Sequence, residues 1–178
     1  MSDSSLIKLP VEGEPNSPVR VVAFEDLQCK DSATWRRMLD DTLLPRFANT
    51  VGFESRDFPL EKHHWAKSAA IVSRRFTAIS PDHGINFRRY CYKHLAEITV
   101  ENFPERIVAY AEACNLDSED IAISVRNIDF HRAVELDHAE GVSLGVEQTP
   151  TVFVRDLRFI ELFGVEEVVA AIDKALRD

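Results

Sequence analysis

Cys29 and Ser32, spaced C-x-x-S in the stretch EDLQCKDSATW (Glu25–Trp35), are the residues of this sequence best placed to do chemistry. Cys29 follows an apolar run, VRVVAF (Val19–Phe24), and precedes a segment with helical periodicity, so it falls where a strand gives way to a helix. The first turn of a helix leaves its N–H groups unpaired and carries about half a positive charge. A sulfur placed there is favoured as the thiolate, the species that attacks a disulfide. Lys30 adds positive charge beside it, and Asp31 opposes it. Thiol–disulfide chemistry commonly uses a second cysteine at C-x-x-C, and that position here is Ser32. The competing reading of Cys29 is plain packing, since cysteine is among the most buried residue types and most single cysteines are inert.

The elements that must position Cys29 are legible as an alternation of patterns. LIKL (Leu6–Leu9) reads as a short edge strand and Val19–Phe24 as a buried strand. Ser32–Phe47 is helical, with Trp35, Met38, Leu39, Thr42 and Leu43 on one stripe and Pro45 positioned to kink its end. Val51–Phe58 is a second strand ended by Pro59, completing a βαβ unit with parallel strands. From Glu61 to about Leu144 the periodicity is helical throughout. Its stripes are Trp65, Ala69, Val72 and Phe76, then Phe87, Tyr90, Cys91, His94, Leu95 and Ile98, then Ile107, Ala111 and Cys114. Asp117 or Ser118 caps a further helix, and Gly145 ends the last one of the block in a left-handed conformation. The chain then returns to two short antiparallel strands, about Thr151–Val154 and Arg158–Leu162, and a closing amphipathic helix, Val165–Arg177. The order βαβ, helical block, ββα predicts one sheet receiving every strand, with the helical block inserted over one end.

Composition narrows the partners. The chain has 178 residues, 45% hydrophobic and 29% charged, with a formal net charge of -9, which argues against nucleic acid as a partner. The basic pairs in SRR (Ser73–Arg75) and FRRY (Phe87–Tyr90) read as solvated helix faces. No apolar run approaches the ~20 residues of a membrane helix. MSDSSLIKLP carries no leader pattern, so the expected location is the cytoplasm. The three cysteines show no metal-ligand spacing, and no metal is expected. Cys91 and Cys114 lie on apolar stripes and read as structural. Adjacent helical residues point about 100° apart, so His63 and His64 make a poor joint ligand pair; one faces the site and the other solvent. His131 and His138 read as polar-face residues, and Glu25 and Asp26 as solvated acids beside the loop.

A second unusual stretch is GVEQTPTVFV (Gly145–Val154), where Thr149-Pro150 precedes a strand although proline cannot donate to a sheet ladder. An X-Pro bond is where the cis form costs least, and the alternative is that Pro150 simply begins an edge strand. With VRVVAFEDLQCKDS, FESRDFPL, GVEQTPTVFV and FGVEEVVAAIDKAL in this order and spacing, the chain from about Val19 to Leu176 resembles the DsbA-like branch of the thioredoxin superfamily. The resemblance implies an α/β thioredoxin-like fold made by residues 1–60 and 145–178, with residues 61–144 as a helical insertion subdomain. It implies that Cys29 is the attacking nucleophile, and that Thr149 and Pro150 contact substrate, with Lys30 and Asp31 of the loop beside them. The resolving cysteine of the family maps to Ser32, where this chain departs from the pattern. Cys29 and Ser32 cannot form an internal disulfide, so an adduct on Cys29 must be resolved by an external thiol, with glutathione or a substrate cysteine as candidates. The Ser32 hydroxyl could donate a hydrogen bond to the thiolate.

Three functions compete at this point. The first is a monothiol thiol–disulfide oxidoreductase or isomerase acting on protein or small-molecule thiols and disulfides. The second is a glutathione-dependent transferase or isomerase, since the kappa-class glutathione transferases share the DsbA-like architecture; Ser32 or Cys29 would then act on the sulfur of bound glutathione. The third is a peptide-binding module without catalysis, in which Cys29 is incidental.

Overall fold

The computed structural model describes residues 7–178. Five strands form one sheet in the order β1-β3-β2-β4-β5, with β1 Val11–Gly13, β2 Arg20–Glu25, β3 Gly52–Asp57, β4 Thr151–Val154 and β5 Leu157–Ile160. β2 and β3 run parallel, and every other pair is antiparallel. This is the α/β thioredoxin-like architecture, with the helices α3 Ala66–Ile79, α4 Pro81–Lys93, α5 Phe103–Ala113, α6 Ser118–Ile123 and α7 Ile128–Ser143 between β3 and β4. The edge strand expected at Leu6–Leu9 differs: Leu6 lies outside the described residues, Ile7–Leu9 is irregular, and the strand forms at Val11–Gly13.

Alternation along the central strands feeds two cores. Val21 and Ala23 point to the face covered by α1 (Lys30–Met38), α2 (Leu44–Phe47) and α8 (Val165–Ala175), where they meet Trp35, Leu39, Leu43, Val168 and Ile172. Val22 and Phe24 point the other way, onto Phe58, Val146 and Phe153. Gly141 of α7 lies against this second face so closely that a Cβ there would stand 2.6 Å from the Phe58 ring. The chain between α1 and α2 opens into a wide π-helical turn, Leu39–Leu43, just ahead of Pro45, which has no N–H to give to an i→i−4 ladder. The helical stripes read from the sequence form their own core, in which Trp65, Ala69, Val72, Phe76, Phe87, Cys91, Ile98, Ile107 and Ala111 are buried with Leu27 and Ala33 from the loop and first helix. Asp117 caps α6, and Gly145 ends the helical block at φ 72°.

Charge is also used inside. Arg88 of α4 donates to Glu25 at the end of β2 (2.9 Å) and to Asp57 at the end of β3 (2.5 Å). Arg74 of α3 donates to the other Asp57 oxygen (2.7 Å) and to Asp137 of α7, which also accepts the Asp57 N–H (2.9 Å). Arg74 and Arg88 are 2% and 4% exposed, so each expected basic patch supplies one buried arginine, while Arg75 and Arg89 stay near the surface. Neighbours on a helix point about 100° apart, and a buried carboxylate selects the inward one. Burial by itself would raise the Asp57 carboxyl; the two guanidinium charges and their hydrogen bonds outweigh it and hold Asp57 below the usual carboxylate range. The chain of charges fixes the carboxyl ends of β2 and β3 to the helical layer.

Candidate active site

β2 ends at Glu25, and the loop Asp26–Gln28 delivers Cys29 to the N-cap of α1, where its carbonyl accepts the Ala33 N–H at 3.0 Å. β4 runs antiparallel to β2 with Thr151 opposite Phe24, so the residues just before β4 fall beyond the same strand end as Cys29. Those residues are Thr149 and Pro150, joined by a cis peptide bond. The Cys29 thiol donates to the Thr149 carbonyl at 3.2 Å. Cys29 is buried, 6% exposed, between the first turn of α1 and the equally buried Thr149–Pro150 segment. Lys30 is exposed and Asp31 half-buried in the first helical turn.

Ser32 is fully buried one turn below Cys29. Its Oγ accepts the Asp26 N–H at 3.3 Å, while the sulfur takes Thr149 as its partner. A hydroxyl that accepts one bond retains its own proton to donate.

Glu25 and Asp26, read from the sequence as solvated, are each 1% exposed. Asp26 folds back to accept the N–H groups of Gln28 and Leu60, both at 2.7 Å, and the Nδ1 of His63 at 2.8 Å. Burial nonetheless pushes its carboxyl above the ordinary range, against the pull of these donors. Gln28 adds a second tie, its Oε1 accepting the Trp65 N–H at 2.8 Å. The active-site loop is thereby stitched to the segment leaving β3. His63 and His64 lie in the turn before α3 rather than on a helix; His63 faces the site and His64 is exposed. The sequence signal for this pairing is slight: Asp26 and His63 are 37 positions apart, and no periodicity relates them.

Cys91 is fully buried in the helical core, where burial pushes its thiol up, and Cys114 is half-buried at the end of α5. Both are free thiols, as is Cys29. Among the described residues no group of His, Cys, Asp or Glu side chains is arranged to hold a metal ion, and no helix is long and apolar enough to cross a membrane.

The fold is shared with solved structures. BdbD from Bacillus subtilis, in its oxidised form, superposes with a TM-score of 0.84 at 20% identity over 96% of this chain and 94% of its own. Wolbachia pipientis α-DsbA1 gives 0.81 at 16% identity, over 99% and 96%. A thioredoxin-like oxidoreductase from Silicibacter pomeroyi DSS-3 gives 0.75 at 19% identity, over 100% and 99%. No curated relative matches the chain in sequence. A family model described as Thioredoxin matches residues 6–174, nearly the whole length, and the chain belongs to that family.

Proposed function

We propose that the protein is a monothiol thiol–disulfide oxidoreductase or isomerase in which Cys29 is the nucleophile and an external thiol completes the cycle. One observation carries the reading: Cys29, the N-cap of α1, has its sulfur 3.2 Å from the carbonyl that precedes cis Pro150. The shared fold of BdbD, α-DsbA1 and a thioredoxin-like oxidoreductase supports the same chemistry.

The steps follow from the residues present. The Cys29 thiolate attacks one sulfur of a substrate disulfide; a new S–S bond forms to Cys29, and the second substrate sulfur leaves as a thiolate. The unpaired N–H groups at the start of α1 favour the attacking anion. The cis Thr149–Pro150 bend lies where a substrate chain must pass to bring its sulfur to Cys29. Ser32 holds no sulfur and Cys91 is sealed in a core, so the adduct persists until an external thiolate attacks its substrate-side sulfur and Cys29 leaves as thiolate. The products are one exchanged disulfide and the regenerated enzyme, with no net oxidation. A peptide carrying scrambled disulfides, incubated with a small thiol, tests the reading: the protein should accelerate rearrangement to the native pairing, and Cys29→Ala should not. Equal acceleration by both would contradict it.

A further inference from the structure

Beside Pro150 lies a cavity of about 200 Å³, walled by Trp35, Met38 and Phe163 and carrying two carboxylates, Asp31 and Glu161. Small-molecule sites are typically ~300–1,000 Å³, so this space suits one side chain of an extended polymer. Its walls are aromatic and aliphatic. Trp35 and Phe163 lie 6.1 Å apart in a tilted pair. Glu161 is tied to the site through its N–H, which donates to the Pro150 carbonyl at 2.9 Å. Neither carboxylate has an ion pair or side-chain hydrogen bond among the described residues. Trp35 is 1% exposed, and its indole Nε1 is buried without an acceptor.

We infer that the cavity selects a substrate chain carrying lysine or arginine beside its reactive cysteine. The aliphatic stem of such a residue packs on Met38 and the aromatic rings, and its cationic head reaches Asp31 and Glu161. Lys30 is exposed and lies outside the cavity's lining. The same two carboxylates repel an acidic thiol compound such as glutathione, which carries two carboxylates of its own. The inference rests on the exchange reading above for its role, but the selection itself is a binding property and can be measured without the reaction.

Three extended peptides, each with serine in place of the reactive cysteine and flanked by lysine, glutamine or glutamate, are titrated into the full chain by calorimetry. Because no disulfide is present, binding reports the cavity alone. The expected result is that the lysine peptide binds about tenfold more tightly than the glutamate peptide, with glutamine between. In Asp31→Asn/Glu161→Gln the difference should shrink to about twofold or less, and ~0.5 M salt should erase most of it. Equal affinity for the lysine and glutamate peptides, or discrimination that survives the double substitution, would overturn the inference. A separate arm uses 2-hydroxyethyl disulfide, which is neutral and has no flanking chain. Failure of Cys29 to react with it would overturn the exchange reading and leave the peptide result to stand on its own.

Discussion

The sulfur of Cys29 and the carbonyl oxygen of Thr149, 120 positions apart in sequence, meet at 3.2 Å. The antiparallel register of β2 with β4 brings them together, since Thr151 pairs with Phe24 and leaves the preceding residues level with the loop that follows β2. The contact is made by the Thr149 backbone; its side-chain hydroxyl is buried with no partner. An unpaired buried hydroxyl costs about 1–3 kcal/mol. Thr149→Val should therefore raise stability by about 1 kcal/mol in urea unfolding, with the rate of Cys29 alkylation unchanged. A loss of stability would show that the hydroxyl has a partner in solution.

Ser32→Cys restores the spacing of a dithiol on the same helical turn. A thiol held within the molecule competes with an external one at a high effective concentration, so the lifetime of a Cys29 adduct should fall at least about tenfold. The introduced thiol should appear in a disulfide with Cys29 by peptide mapping. An adduct as long-lived as in the unsubstituted protein would show that the two positions cannot reach each other.

Asp57 is held below the ordinary carboxylate range by Arg88 and Arg74, against the opposing effect of burial. A folded-state value depressed below the unfolded one contributes stability that is complete above about pH 3.9 and lost as pH falls through the folded value. Urea unfolding between about pH 5 and 2 should show this loss, and Asp57→Asn should flatten it. At neutral pH the substitution should cost about 3–5 kcal/mol, because it leaves part of two buried guanidinium charges uncompensated. An unchanged acid profile in Asp57→Asn would place the acid sensitivity elsewhere.

Asp26 has the opposite sign. Burial raises its carboxyl, so its contribution is fully present below the unfolded value of about 3.9 and is lost as pH rises through the raised one. Relative to Asp26→Asn, the unsubstituted protein should lose stability on going from pH 4 toward neutrality. Asp26→Ala, which strands the Gln28 and Leu60 amides, should cost about 1–3 kcal/mol at any pH. Parallel stability curves for the protein and Asp26→Asn would refute the sign.

These two aspartates mark the limit of what the sequence discloses. Strands β2 and β3 lie within one residue of the ranges their apolar patterns suggest, and Trp65, Ala69, Val72 and Phe76 are all buried as their spacing requires. Periodicity reports such local regularities because it is fixed by the geometry of one element. The C-x-x-S loop and the Thr-Pro were legible because few chemistries use those residue types before a helix and before a strand. The burial of Glu25, Asp26, Arg74 and Arg88 was not. Each depends on a partner 17 to 63 positions away, and a charged residue on a helix carries no local mark that says which neighbour turns inward. The cavity of Trp35, Pro150 and Glu161 is equally non-local, because three separate elements converge on it.

The most direct measurement is intact mass spectrometry after the protein is mixed, without added thiol, with an excess of a peptide disulfide. The expected result is one adduct carrying half of the peptide disulfide, mapped to Cys29, released on addition of a small thiol and absent from Cys29→Ala. No adduct, or an adduct mapped to Cys91 or Cys114 in place of Cys29, would contradict the assignment of Cys29 as the working nucleophile.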